Sequence, residues 1–199
     1  MALSKIDVAN MLTGSTPVAN GGTGLTSGTS GQFLKFTGST TLASNAISEG
    51  IEVAGQWRVT SAFTGDAFPI ASNWEEVDTS YSRIGSAMTQ SSGVFTFPST
   101  GIYLIMYQVN CELNSSESEP HCIIDYTANN GSNWAGLSRT SPGGTDDFAG
   151  AFVNAIFDVT DTSNYKIRFA QDFTNGSSEV KADTNITFTG ATFIKLGAT

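Results

Sequence analysis

The segment that most limits what this chain can become runs from Ile102 to Leu113. Its odd positions, Tyr103, Ile105, Tyr107, Val109, Cys111 and Leu113, are apolar or aromatic throughout, so one side of an extended strand would meet a core along its whole length. The even positions are split. Ile102, Leu104 and Met106 are apolar, whereas Gln108, Asn110 and Glu112 are polar. Half of the strand therefore calls for burial on both faces. In an antiparallel sandwich one face of each sheet normally meets water, so this double burial predicts another layer or another subunit.

Further strands follow at the spacing of an all-β sandwich. Gly93 to Pro98 reads as a short strand closed by proline, and Ser99-Thr100-Gly101 turns the chain into the long one. His121 to Thr127 ends at the turn signal Asn129-Asn130-Gly131. In Phe152 to Val159, Val153, Ala155, Phe157 and Val159 share one face, with Asn154 and Asp158 on the other. Asp161-Thr162-Ser163-Asn164 then leads into Tyr165 to Phe169, where Tyr165, Ile167 and Phe169 face away from Lys166 and Arg168. Asn185 to Leu196 is expected to close the chain, with Ile186, Phe188, Ile194 and Leu196 in register and Gly190 marking a bulge or a close approach. Less regular signals place strands near Trp57 to Phe63 and Tyr81 to Met88, with an irregular stretch at Ala71 to Thr79.

Residues 1–50 are of another kind. They hold four charges, Lys5, Asp7, Lys35 and Glu49, while Gly, Ser and Thr supply 23 of the 50 residues. Such a segment cannot bury enough apolar surface to offset its own ordering entropy. It reads as an extended, low-charge arm ordered by contact, before a sandwich at 51–199. Two apolar clusters, Ile6, Val8, Met11 and Leu12, then Phe33, Leu34, Phe36 and Leu42, flank the run Val18-Ala19-Asn20-Gly21-Gly22-Thr23-Gly24. Its glycines suit a chain lying in a groove or wound against identical neighbours.

Charge sets limits on partners. Lys and Arg total 9 against 18 Asp and Glu, a net of -9, which argues against nucleic acid and anionic membrane surfaces. No apolar run reaches the roughly 20 residues that span a bilayer, and the start lacks the pattern of a signal peptide. The chain is expected to be soluble and unprocessed.

At Gly93-Val94-Phe95-Thr96-Phe97-Pro98, followed by Gly101-Ile102-Tyr103, the sequence resembles the globular domain of the C1q and tumour-necrosis-factor superfamily, with its G-x-F-T-x-P strand, tight turn and G-x-Y strand. Phe188-Thr189-Gly190-Ala191 is similar to that family's closing segment. The resemblance covers about 51–199 and is specific only at 93–107. It implies an antiparallel jelly roll (C1q/TNF-like) that packs as a homotrimer, with Ile102, Leu104 and Met106 at the trimer interface. The family's collagen stalk is missing, since no Gly-X-Y repeat occurs. In the arm, Val18 to Gly24 resembles a segment common in fibres and other virion proteins of tailed bacteriophages, and Gly31-Gln32-Phe33-Leu34 continues that likeness. Together they imply a trimeric virion appendage, assembled in the host cytoplasm, whose arm docks on other virion proteins. Its head would face outward, towards a host-surface glycan or protein. The alternative is a capsid or tail decoration protein that stabilises the particle without a receptor.

Catalysis is thinly supplied. His121 is the only histidine, and His121, Cys122, Glu117, Glu119 and Asp125 match no strong zinc pattern. Asp146, Asp147, Asp158, Asp161, Asp172, Glu179 and Asp183 offer oxygen ligands for Ca²⁺, but none falls in a D-x-[DN]-x-[DN]-G run, so solvated loop charge is the better reading. A polysaccharide-degrading spike needs paired carboxylates, and no pair stands out. No enzyme activity, cofactor or metal is implied. For Cys111 and Cys122, on strands read as adjacent, a disulfide is geometrically open, while a reducing cytoplasm favours buried free thiols. Trp74 and Trp134 lie near turns, where an exposed indole stacks on a sugar and a buried one fills the sandwich.

Overall fold

The computed structural model describes residues 23, 25, 28–39, 41–45, 50–143 and 148–199. The chain divides into two compact units between Gly50 and Ile51. In the first, β1 (Phe33–Gly38) and β2 (Thr41–Asn45) form an antiparallel hairpin where the sequence had suggested only an extended segment. The motif from Val18 to Gly24 lies outside the described residues apart from Thr23.

The second unit is all-β and antiparallel. Its strands are β3 (Ala54–Val59), β4 (Phe63–Thr64), β5 (Trp74–Glu76), β6 (Thr89–Ser91), β7 (Val94–Thr96) and β8 (Gly101–Glu112). They continue with β9 (His121–Thr127), β10 (Ala135–Thr140), β11 (Phe148–Val159), β12 (Lys166–Asp172), β13 (Glu179–Val180) and β14 (Gly190–Gly197). One sheet runs β11-β8-β14-β3-β5, with β13 and β4 extending the β8 edge beyond β14. The other runs β10-β9-β12-β7-β6. The chain changes sheet between β5 and β6, β7 and β8, β8 and β9, β10 and β11, β11 and β12, and β12 and β13, which is a jelly-roll path.

The odd positions of β8 form the centre of the core: Tyr103, Ile105, Tyr107, Val109, Cys111 and Leu113 are buried. Opposite them stand Phe95, Ile124, Ile167 and Phe169 from the second sheet. The Phe95 ring is the hub, with Trp57, Trp74, Phe169 and Phe193 centred 5.1–5.4 Å from it in edge-on and tilted arrangements. Trp74 thus belongs to the core, and its indole N–H donates to the Ile70 carbonyl at 2.7 Å.

Several expected elements differ. Tyr81 to Met88 is not a strand. The Gln56 N–H donates to the Tyr81 hydroxyl at 2.9 Å, and only Ile84 bridges to the backbone, at Ala54. The stretch read as irregular contains β5, clamped onto β3 by Arg58. That buried guanidinium donates through Nε to Glu75 at 2.8 Å and also reaches Asp78. β10 had no alternation to reveal it, because its pairing with β9 shifts register between Gly136 and Ser138. The last strand starts late: Asp183 caps the N–H groups of Asn185 and Ile186, and the Phe188 N–H turns back to the Ile186 carbonyl. In β14 the odd residues Ala191 and Phe193 face the core, leaving Ile194 and Leu196 on the other side. Gly190 is a close approach, for a Cβ there would collide with the Trp57 carbonyl oxygen.

The loops after β8 and β12 are tied by a buried carboxylate. Glu117 accepts from the Thr174 N–H at 2.8 Å, the Asn175 N–H at 3.0 Å and the Ser178 hydroxyl at 3.0 Å. Burial opposes its ionisation, but the N–H groups of Asn175 and Thr174 and the Ser178 hydroxyl outweigh it and hold the carboxyl below its ordinary value. A lowered folded pKa adds stability that is complete above the unfolded value and lost as pH falls through the folded one. Glu117→Gln is therefore expected to cost about 1–3 kcal/mol at neutral pH. It should also flatten the acid limb of stability, as measured by urea unfolding between pH 7 and pH 3.

Candidate assembly interface

The register of β8 with its neighbours builds the outward face of the first sheet row by row. Leu104 lies between Ile156 of β11 and Ile194 of β14, Met106 between Asn154 and Thr192, and Ile102 between Asp158 and Gly197. Ile102, Leu104 and Met106 are half-buried there, on the face away from the core. Ile156 is 66% exposed, Phe152 54% and Leu196 54%, large values for apolar side chains on one surface. The polar residues Gln108, Asn110 and Glu112 continue the β8 row, and Phe152 stands beside Gln108. Lys181 pairs with Glu112 and Glu179 at that end, under the Phe148 ring. The result is an apolar band with a charged margin, the anatomy of an association surface.

Sequence reasoning found the β8 half of this band and missed the β11 half. Asn154 and Asp158 suggested a polar face for β11, yet Phe152 and Ile156 share their parity and their side of the sheet. Counting both parities across 152–159 would have revealed them.

The residues considered for a metal are divided among other tasks. The Cys122 thiol points inward and donates to Gln171 Oε1 at 3.2 Å, Glu117 ties loops together, and Asp125 pairs with Arg168 at 2.9 Å. His121 Nδ1 lies 4.0 Å from Asp172. Asp161 and Asp183 cap turns, and Glu179 pairs with Lys181. No group of three such ligands comes together among the described residues, which omit Asp146 and Asp147.

Cys111 and Cys122 are not on neighbouring strands: β8 and β9 belong to opposite sheets, and both thiols are free and buried. Burial pushes the Cys111 thiol up to about 12 and that of Cys122 upward as well. Since the thiolate is the reactive form, neither should react with a disulfide reagent at pH 8 until the protein unfolds. Thiol titration with and without urea checks this.

These two sheets and their connections define a tumour-necrosis-factor-like jelly roll. Among solved structures, the crystal structures of murine APRIL at pH 5.0 and pH 8.5 are similar, each with a TM-score of 0.53 and 14% identity. A third, at pH 8.0, gives 0.52, and in all three the match covers 72% of this chain and 98% of the other. No protein-family model matches the chain, and no curated protein is similar to it in sequence.

Proposed function

We propose that the chain is a non-enzymatic structural protein of a tailed-bacteriophage particle, a homotrimeric surface appendage. The arm at 1–50 docks on other virion proteins, and the jelly-roll head projects outward to engage the host surface. The observation that carries the assembly is the apolar band of Leu104, Met106, Phe152, Ile156 and Ile194 on a sheet face that no described residue of the head covers. Three copies around an axis bury this band, as the resemblance in sequence implies. The virion assignment is supported by Val18 to Gly24. Of the 27 charges, 23 lie beyond Gly50, so the acidity belongs to the head, where it keeps an outward surface soluble.

The test is adsorption. Purified protein should bind host cells and compete with particles, and particles lacking it should adsorb poorly. If such particles adsorb normally but break under heat or low salt, the host-binding role is wrong and the protein is a decoration that clamps the particle.

A further inference from the structure

We propose that the groove on the outward face of the second sheet, between Asp125 and Arg139, is a binding site for an acidic sugar. This deepens the host-surface reading and rests on it for the source of the sugar; the groove itself is built within one chain. It has a volume of about 450 Å³ and is lined by Ile123, Asp125, Gly136 and Arg139 among others. That is in the range of small-ligand sites.

Strand register sets its layout. Gly136, Asp125 and Arg168 form one row across β10, β9 and β12, and Arg139, Ile123 and Ala170 form the next. Asp125 is held in one orientation. Its Oδ2 accepts from Arg168 Nε at 2.9 Å and pairs with Nη2 at 2.9 Å, and the guanidinium in turn lies 4.4 Å from the centre of the Trp134 indole. Trp134 therefore supports the site through Arg168. The other carboxylate oxygen, Oδ1, makes no hydrogen bond among the described residues and stands 4.0 Å from where a Gly136 Cβ would be. With glycine there, the groove stays open beside a fixed, unused acceptor.

Arg139 supplies the opposite charge. It is exposed and makes no hydrogen bond or ion pair among the described residues. The other cations of the head are engaged: Arg58, Arg83, Arg168, Lys181 and Lys195 with carboxylates, and Lys166 with the Thr162 carbonyl. A free guanidinium next to a fixed acceptor matches a ligand bearing both an anion and hydroxyl donors. A sugar carboxylate meets Arg139 while a ring hydroxyl donates to Asp125 Oδ1. A bare sulfate would satisfy Arg139 but has no hydroxyl to donate to Asp125 Oδ1, and a neutral sugar would leave Arg139 unused.

The full chain should be titrated by calorimetry with sodium glucuronate, N-acetylneuraminate, glucose and inorganic sulfate. Either acidic sugar should bind, with glucose and sulfate weaker by about tenfold or more. Arg139→Ala, at an exposed side chain, and Gly136→Val, which fills the groove, should each weaken the acidic sugar by about tenfold or more without changing circular dichroism. The proposal is overturned if neither acidic sugar binds, if sulfate or glucose binds as well, or if both variants bind like the parent. The chain's mass in solution, measured on the same sample, reports separately on trimer formation. Sugar binding by a monomer would sink the assembly reading and leave the groove standing.

Discussion

Ile156→Lys is expected to yield a folded monomer. Ile156 is 66% exposed on the outward face of β11, so the substitution removes nothing from the core and changes the stability of a single chain by no more than about 0.5 kcal/mol. The same side chain lies in a row with Leu104 and Ile194, which a neighbouring copy would cover in the proposed trimer. Burying an unpaired ammonium costs several kcal/mol, and threefold symmetry repeats that cost at three equivalent positions. Association should therefore fail at micromolar protein. Thr89→Lys, at an exposed residue on β6 of the other sheet, is the control and should leave assembly unchanged. If Ile156→Lys keeps the parent's mass, the interface lies elsewhere.

Phe95→Ala is expected to be the most damaging single truncation in the head. The ring is fully buried and touches Trp57, Trp74 and Phe193 of the first sheet and Phe169 of the second. Removing it leaves a cavity that rigid aromatic neighbours cannot collapse to fill, at a cost of about 3–5 kcal/mol. Against a total stability of about 5–15 kcal/mol, that is a large share, and a fall in melting temperature of about 10 °C or more follows. Phe95→Leu retains much of the volume and should cost about half as much. Urea unfolding of both variants, on a monomeric background so that subunit exchange does not intervene, measures this directly. A loss below about 1 kcal/mol for Phe95→Ala would mean the cluster is not the centre of the core.

Much of this architecture was legible because strands with one buried face carry a period of two. β8 showed it without interruption, β9 was bounded correctly by its turn, and the facing of Ile167 and Phe169 in β12 followed from the charged residues between them. What escaped was held by interactions with no local pattern. β5 depends on Arg58, whose carboxylate partners lie 17 and 20 residues away, and Glu117 binds N–H groups 57 and 58 residues distant. Tyr81 to Met88 misled because its tyrosine bonds the neighbouring backbone through the hydroxyl. For the interface, the apolar parity of Ile102, Leu104 and Met106 was visible, whereas Phe152 and Ile156 were masked by the polar residues that share their face. The groove beside Asp125 escaped because its residues converge only through strand pairing across a register shift.

The most direct measurement is the mass of the purified chain in solution by light scattering over a dilution series. The proposed homotrimer predicts three times the 20.9 kDa of one chain, persisting to low concentration. A folded species at 20.9 kDa across the series would contradict it.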